Sequence, residues 1–343
     1  MNPSGLGTFA IGLDLGGTAT KVGLFAPDGP LVERIDLATP LTCDNTAADA
    51  EASNRGKKPQ TSGSSPLALL VANLSALLER HNVPARSVGL LGIAVASVVD
   101  GQGEAHFSTN ISIDLDAYRR ALAQLLPEAF IAVVNDADAA ALGEAWYGIP
   151  PKTHCMLFVT LGTGVGGGIV WDGRLLTGAH GAAGEIGHVC VDTHETRRCN
   201  CGRFGCLEYY ASASGLVRAA EKLLEENPQA ASTLRNTELG AKEIFDAARA
   251  GDSLAARSVE SFSRVLGYGL AQISVVIDPD MILLGGGMSG SADVWLEQVR
   301  AHYRENAFFS CTETPIRVAD LGNSAGIHGA VRFACQRREE TRA

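Results

Sequence analysis

An α/β protein with helices covering mixed sheets is the architecture expected of this chain, on three observations. Runs of strand-forming apolar residues alternate with helical apolar spacing. A meander of short strands at the start has a counterpart near the middle. Glycine-rich turns follow strands in both halves, and glycine supplies 39 of the 343 residues, about 11% against a usual ~7%.

The first strand is read over 9–16 and the second over 21–26, with Asp14-Leu15-Gly16-Gly17-Thr18 between them. The turn Pro27-Asp28-Gly29 leads to a third strand over 31–38. Residues 40–65 carry almost no large apolar groups and read as a loop. A helix with proline at its start covers 66–82, and a buried strand covers 88–99. An amphipathic helix over 114–126, a strand over 130–136 and a helix over 137–148 complete a βββαβαβα half. The second half opens on a strand pair, 155–164 and 165–173. Helices at about 212–226, 241–251 and 253–276 follow a long insertion. A strand over 281–287, a helix over 293–303, a strand over 315–320 and a helix over 325–338 close the series.

Composition excludes several classes of function. Lys and Arg number 28 against 38 Asp and Glu, a net charge of −10, which argues against nucleic-acid binding because that needs neutralised phosphates. No apolar run reaches the roughly 18–20 residues of a membrane span. The N-terminal apolar run lacks a preceding basic region, so it does not read as a signal peptide. A cytoplasmic location is the expectation.

The glycine turns suit an anion. Glycine pairs permit tight backbone turns whose N–H groups face a phosphate, and Thr18 adds a hydroxyl. Asp14, at a strand end, could hold Mg²⁺ through water. Leu161-Gly162-Thr163-Gly164 repeats this chemistry, and Gly285-Gly286-Gly287 supplies a third turn. Gly162-x-Gly164-x-x-Gly167 matches a dinucleotide fingerprint only formally, because it joins two strands rather than strand and helix.

Asn135-Asp136 end an otherwise apolar strand, where open α/β sheets bind ligands. Asp136 is either the N-cap of the next helix or a general base for a hydroxyl attacking a phosphoryl group. Glu185 could accept hydrogen bonds from vicinal hydroxyls, or be an exposed carboxylate. Glu208 lies two residues after Cys206, in what would be a first helical turn.

Eight cysteines occur, at 43, 155, 190, 199, 201, 206, 311 and 335. Cys199, Cys201 and Cys206, with His188 eleven residues before the first, make a complete tetrahedral zinc set. Reduced thiols or a redox pair are the alternative. Cys190 and His194 are competing ligands, but the apolar surroundings of Cys190 favour burial and the polar run around His194 favours solvent. The five scattered cysteines read as small core residues.

The assembled pattern resembles the ROK family (repressors, open reading frames and sugar kinases) of the actin-like ATPase superfamily. Its carriers are Asp14–Thr18, Asn135-Asp136, the stretch 161–188, Cys199–Glu208 and 282–288. The resemblance implies two RNase H-like lobes with a central cleft. One would be 1–136 completed by a C-terminal helix over 325–343; the other would be 137–324, with a zinc-binding insertion over 185–208. It implies ATP phosphates at Gly16, Gly17, Thr18, Thr163 and Gly164, with Gly286 on the third turn. Asp136 would be the catalytic base. Asn110, Asn135, Glu185, His188 and Glu208 would bind sugar hydroxyls, and His188, Cys199, Cys201 and Cys206 would hold a structural zinc. A homo-oligomer is implied as well.

Two features depart from that family. Ala96-Ser97 stands where Pro-Gly is usual, and Ser108-Thr109-Asn110-Ile111 replaces a Pro-Asn-Leu element. Both fit a substrate other than glucose, such as an N-acylhexosamine or a cyclitol, whose ring oxygen is replaced by carbon. The family's repressors carry an N-terminal helix-turn-helix domain, for which a glycine turn at residue 14 leaves no room. That favours an enzyme over a non-catalytic sugar-responsive regulator. A zinc hydrolase would need an open metal position, which four protein ligands close.

Overall fold

A computed structural model describes residues 6–16, 19–38, 65–99, 105–107, 114–147 and 153–342. In chain order the elements begin with β1 (Phe9–Leu15), β2 (Ala19–Phe25), β3 (Leu31–Ala38), α1 (Pro66–Arg80), β4 (Val88–Val95), β5 (Val98–Val99) and β6 (Ala105–Phe107). Next come α2 (Leu115–Leu125), β7 (Phe130–Asn135), α3 (Asp136–Tyr147), β8 (Cys155–Leu161), β9 (Val165–Trp171) and β10 (Arg174–Leu175). Then follow α4 (Leu207–Ala211), α5 (Ala213–Glu226), α6 (Ala241–Arg249) and α7 (Ser253–Ile277). The last are β11 (Met281–Gly285), α8 (Ala292–Asn306), β12 (Ile316–Val318) and α9 (Ala325–Arg342). The chain divides into two compact units, Met1–Ala139 with Gly326–Ala343, and Ala140–Ala325.

The first unit holds a sheet of order β3-β2-β1-β4-β7. β1, β2 and β3 form an antiparallel meander, while β4 and β7 add parallel to β1. Alternate residues of a strand face opposite sides. Ile11, Leu13 and Leu15 therefore share one face, where they join a core with Leu70, Leu74, Leu77 and Leu78 of α1 and Leu122 of α2. The i, i+4, i+7 and i+8 spacing of the α1 leucines gives that helix its buried stripe. Ser65 caps α1 by accepting from the Ala68 N–H at 3.2 Å, and Pro66 starts it without an N–H to satisfy. α9 packs on the other face. There Gly23, Gly12, Gly92 and Ala132 are paired side by side across four strands. A methyl group at Gly12 would sit 2.3 Å from the Ile327 carbonyl oxygen, and one at Gly92 2.0 Å from that of Ala330. Only glycine lets the helix backbone come this close.

The second unit holds a sheet of order β10-β9-β8-β11-β12. β8 and β9 pair antiparallel, β8 and β11 parallel. β11 is buried along its whole length, as a central strand covered on both faces should be. α7 is the spine of this unit. Asp252 caps its start through the N–H groups of Leu254 and Ala255, and Asp278 ends it in the left-handed conformation at φ 46°. Phe245, Phe262 and Trp295 stack edge to face in the core between α6, α7 and α8.

Several boundaries differ from expectation, four of them in ways that matter to the site or topology. The strand read over 88–99 stops at Val95, because the Ser97 N–H folds back onto the Val95 carbonyl at 2.8 Å; β5 then pairs with β6 in a separate ribbon. The helix read over 137–148 starts one residue earlier, at Asp136. The helix read over 212–226 is α5, and a short helix that the periodicity did not show, α4, precedes it across extended backbone at Ser212. The third strand of the second meander, β10, is only two residues long and carried no periodic signal. Most of the loop read over 40–65 lies outside the described residues, as does Cys43.

Candidate active site

In the first unit, the helix cap expected of Asp136 belongs to its neighbour. Asn135 Oδ1 accepts the N–H groups of Ala137 at 2.8 Å and Asp138 at 3.0 Å, and its Nδ2 donates to the Ser97 carbonyl at 3.0 Å. Asn135 thus ties the bend after β4 to the start of α3. Asp136 becomes the first residue of α3, with Oδ1 accepting from the Ala137 N–H at 2.9 Å. Its half-buried carboxylate sits at the carboxyl end of β7, in the first turn of α3.

Asp14 lies directly opposite Lys21 in the β1–β2 register, and the two form an ion pair at 2.7 Å. Asp14 also packs against the first turn of α9, where a methyl group at Gly326 would meet its Oδ2 at 2.9 Å. Lys21 is a partner that sequence reasoning missed; the signal was its place seven residues on, across a tight turn. Gly16 closes that turn by donating to the Ala19 carbonyl at 3.1 Å. Gly17, Thr18 and Asn110 lie outside the described residues.

In the second unit the structure gathers several expected residues around one turn. Gly162 donates to the Gly164 carbonyl, and Ser214, at the start of α5, donates to the Thr163 carbonyl at 3.0 Å. Gly286, at φ +84°, lies against this turn; a side chain there would meet the Leu161 carbonyl oxygen at 2.4 Å. Glu208 reaches the turn from α4. Its Oε2 accepts the Val165 N–H at 3.1 Å, and there is no room for a Cβ between it and Gly164. One of the turn's amides is therefore held by a carboxylate that sits 43 residues further along the chain.

Glycines also bring Glu185 and His188 here. Side chains at Gly167 or Gly187 would strike Ile186 or the Val165 carbonyl, so the 184–188 segment lies flat on β9. Glu185 and His188 face each other with Oε2 and Nε2 3.9 Å apart. Burial pushes the Glu185 carboxyl above its ordinary range, His188 pulls it back down, and Glu208 adds to the rise.

The other ring nitrogen of His188, Nδ1, is 3.9 Å from Cys199 Sγ, and Cys201 and Cys206 Sγ are 3.7 Å apart. One ligand atom from each of the four residues lies within 4.8 Å of the others. Thiolates bound tetrahedrally at about 2.3 Å lie about 3.8 Å from each other, whereas a disulfide needs about 2.05 Å. The geometry suits a metal and not a bridge. Burial, and then the neighbouring thiols, push the Cys206 thiol up to about 12, a position that only a nearby cation would reverse. Cys190 is exposed rather than buried, and its sulfur turns to the Asp192 carbonyl, away from the four. Gly205, at φ +67°, lies against both; a Cβ there would strike the Asp192 carbonyl and come within 3.1 Å of the Cys190 sulfur. His194 is exposed and outside the cluster.

Two sheets of matching order, each opening on a meander with a glycine turn, define the actin-like ATPase fold. The ROK family model matches residues 10–337, and the chain belongs to that family. It is 32% identical to a glucokinase of Halalkalibacterium halodurans, covering 93% of this chain and 92% of that one. It is 29% identical to an N-acetylgalactosamine kinase of Shewanella sp. (strain ANA-3), covering 93% and 94%. Among solved structures it is similar to a ROK family glucokinase from Streptomyces griseus in complex with glucose and AMPPNP. There the TM-score is 0.72 and the identity 29%, over 96% of this chain and 99% of that one.

Proposed function

We propose that this protein is an ATP-dependent carbohydrate kinase that phosphorylates a hydroxyl of a hexose or hexose-like polyol. The observation that carries the reading is Asp136, set at a strand end beside the capping Asn135 in a family whose similar members are sugar kinases. The Asp136 carboxylate takes the proton of the acceptor hydroxyl. That oxygen forms a bond to the γ-phosphorus, the bond to the β–γ bridging oxygen breaks, and ADP leaves.

Gly16, Gly17, Thr18, Thr163, Gly164 and Gly286 serve the ATP phosphates. Mg²⁺, when bound, offsets phosphate charge, and Asp14 is the residue placed to hold it through water. Asn110, Asn135, Glu185, His188 and Glu208 bind acceptor hydroxyls, Asn135 through the amide hydrogen left after its bond to Ser97. His188, Cys199, Cys201 and Cys206 hold zinc, which supplies cross-linking of the segment that carries Glu208.

The bend at Ala96-Ser97, tied down by Asn135, gives the acceptor side a backbone unlike the usual Pro-Gly. It favours a test set that includes N-acylhexosamines and C7 cyclitols beside glucose. ADP release is measured over hexoses, amino sugars and cyclitols. One acceptor should raise it well above the sugar-free rate. No response to any acceptor overturns the kinase reading in favour of a non-catalytic regulator. Asp136→Asn should lower turnover at least about a hundredfold with an unchanged melting temperature; near-normal turnover removes Asp136 from the role of base.

A further inference from the structure

The second unit carries a partly open cavity of about 360 Å³ that the kinase reading does not use. It opens between the 191–197 segment, α4, α5 and α7. Four cations line it: Arg197, Arg218, Lys222 and Arg264. The chain as a whole carries −10, so this concentration of positive charge runs against its average. One carboxylate, Asp192, lines the cavity as well. Asp192 is already engaged, by the Tyr210 hydroxyl at 2.9 Å and the His194 N–H at 2.9 Å.

The cations are unequally satisfied. Arg197 pairs with Glu195 at 3.3 Å, and Lys222 reaches Glu226 on its own helix at 3.8 Å. Arg218 and Arg264 have no carboxylate partner among the described residues. The Arg218 guanidinium lies over the Tyr209 ring, 4.2 Å from its centroid, and donates to the Tyr209 carbonyl; its buried Nε–H has no acceptor. Stacking on a ring holds a guanidinium in place without neutralising it. Tyr209, Tyr210 and Tyr268 add aromatic surface to the same walls.

Fixed guanidinium groups beside aromatic surface suit a dianionic phosphate attached to a ring. We infer that this cavity is a second ligand site, separate from the proposed catalytic residues, that binds a small phosphomonoester carried on a sugar or nucleoside. The division falls within α4: Glu208 turns to the Gly164–Val165 turn, while Tyr209 and Tyr210 line the cavity.

The test uses the full chain with AMPPNP in excess, so that nucleotide-binding groups are filled. Glucose 6-phosphate, AMP and inorganic phosphate are titrated separately by calorimetry into the wild type and a Lys222→Gln/Arg264→Gln double variant. Both side chains are exposed, so the fold should survive, which an unchanged melting temperature verifies. At least one ester should bind the wild type more tightly than inorganic phosphate does. Its affinity should fall at least tenfold in the double variant and should weaken as salt is added. The tighter ester identifies the ring. Equal affinity in the two proteins, or binding of neither ester, overturns the site. Inorganic phosphate binding as tightly as both esters overturns the role of the aromatic walls. Because the measurement needs no turnover, its outcome is independent of whether the chain is a kinase.

Discussion

The two sheets share a strand order but achieve close packing in opposite ways. In the first unit the sheet supplies the small residues: Gly23, Gly12 and Gly92 form a row that admits the backbone of α9. In the second unit the matching row through β9, β8 and β11 is Gly168, Phe158 and Leu283, and a close helix approach is made instead between helices, away from the sheet. Gly267 of α7 admits the α8 backbone at Val299 and Tyr303, and Gly269 admits the Leu207 side chain. Glycine thus opens a sheet–helix contact in one unit and helix–helix contacts in the other. What decides the cost of losing it is whether the neighbour is backbone or side chain.

The contrast can be broken most sharply at Gly92. Gly92→Ala puts a methyl group 2.0 Å from the Ala330 carbonyl oxygen, and backbone cannot swing aside. A loss of about 3 kcal/mol or more is expected, measured by denaturant unfolding. Cys201→Ser tests the second unit's own device. Metal content by mass spectrometry should fall from about one zinc per chain to none, with a lower melting temperature. Unchanged metal content would refute the four-ligand site. Gly269→Ala should cost only about 1 kcal/mol, because its new methyl meets the flexible end of Leu207. A loss equal to that at Gly92 would sink the distinction between backbone and side-chain neighbours.

The smallest effect is a pH slope. Glu144 is fully buried on α3 and accepts the N–H groups of Asp320 at 3.0 Å and Leu321 at 2.8 Å. Burial raises its carboxyl above the ordinary value, and those two N–H groups pull it partly back. The folded state therefore holds this proton more firmly than the unfolded chain. Glu144 favours folding most at low pH, and that contribution is lost as pH rises through its raised folded value. Glu144→Gln should remove this part of the decline in melting temperature with pH. An identical pH profile in the variant would show that Glu144 does not titrate in the window.

The two turns were unequally legible in the sequence. Both could be recognised, because a glycine run after an apolar strand is a local signal. How each is held could not. Asp14 meets Lys21 only through the β1–β2 register, and Val165 meets Glu208 only after α4 has been placed. The roles of Asn135 and Asp136 were divided by which side chain accepts the Ala137 and Asp138 N–H groups, and Asn135 is oriented by its bond to Ser97, just past a strand end at Val95 that had no marker in a continuous apolar run. Cys190 was misjudged as well: its apolar neighbours suggested burial, but it is exposed.

By itself the sequence determined most of the strands and helices in their order, the glycine turns and the four residues of the His–Cys cluster. Each of these rests on periodicity or ligand chemistry within a short stretch of chain. Only the tertiary structure decided that α9 covers the N-terminal sheet, that Glu208 occupies an amide of the Gly164 turn, and that four scattered cations share one cavity. The first two join residues more than three hundred and about forty positions apart, and the third brings together three segments of chain; strand register and packing set them.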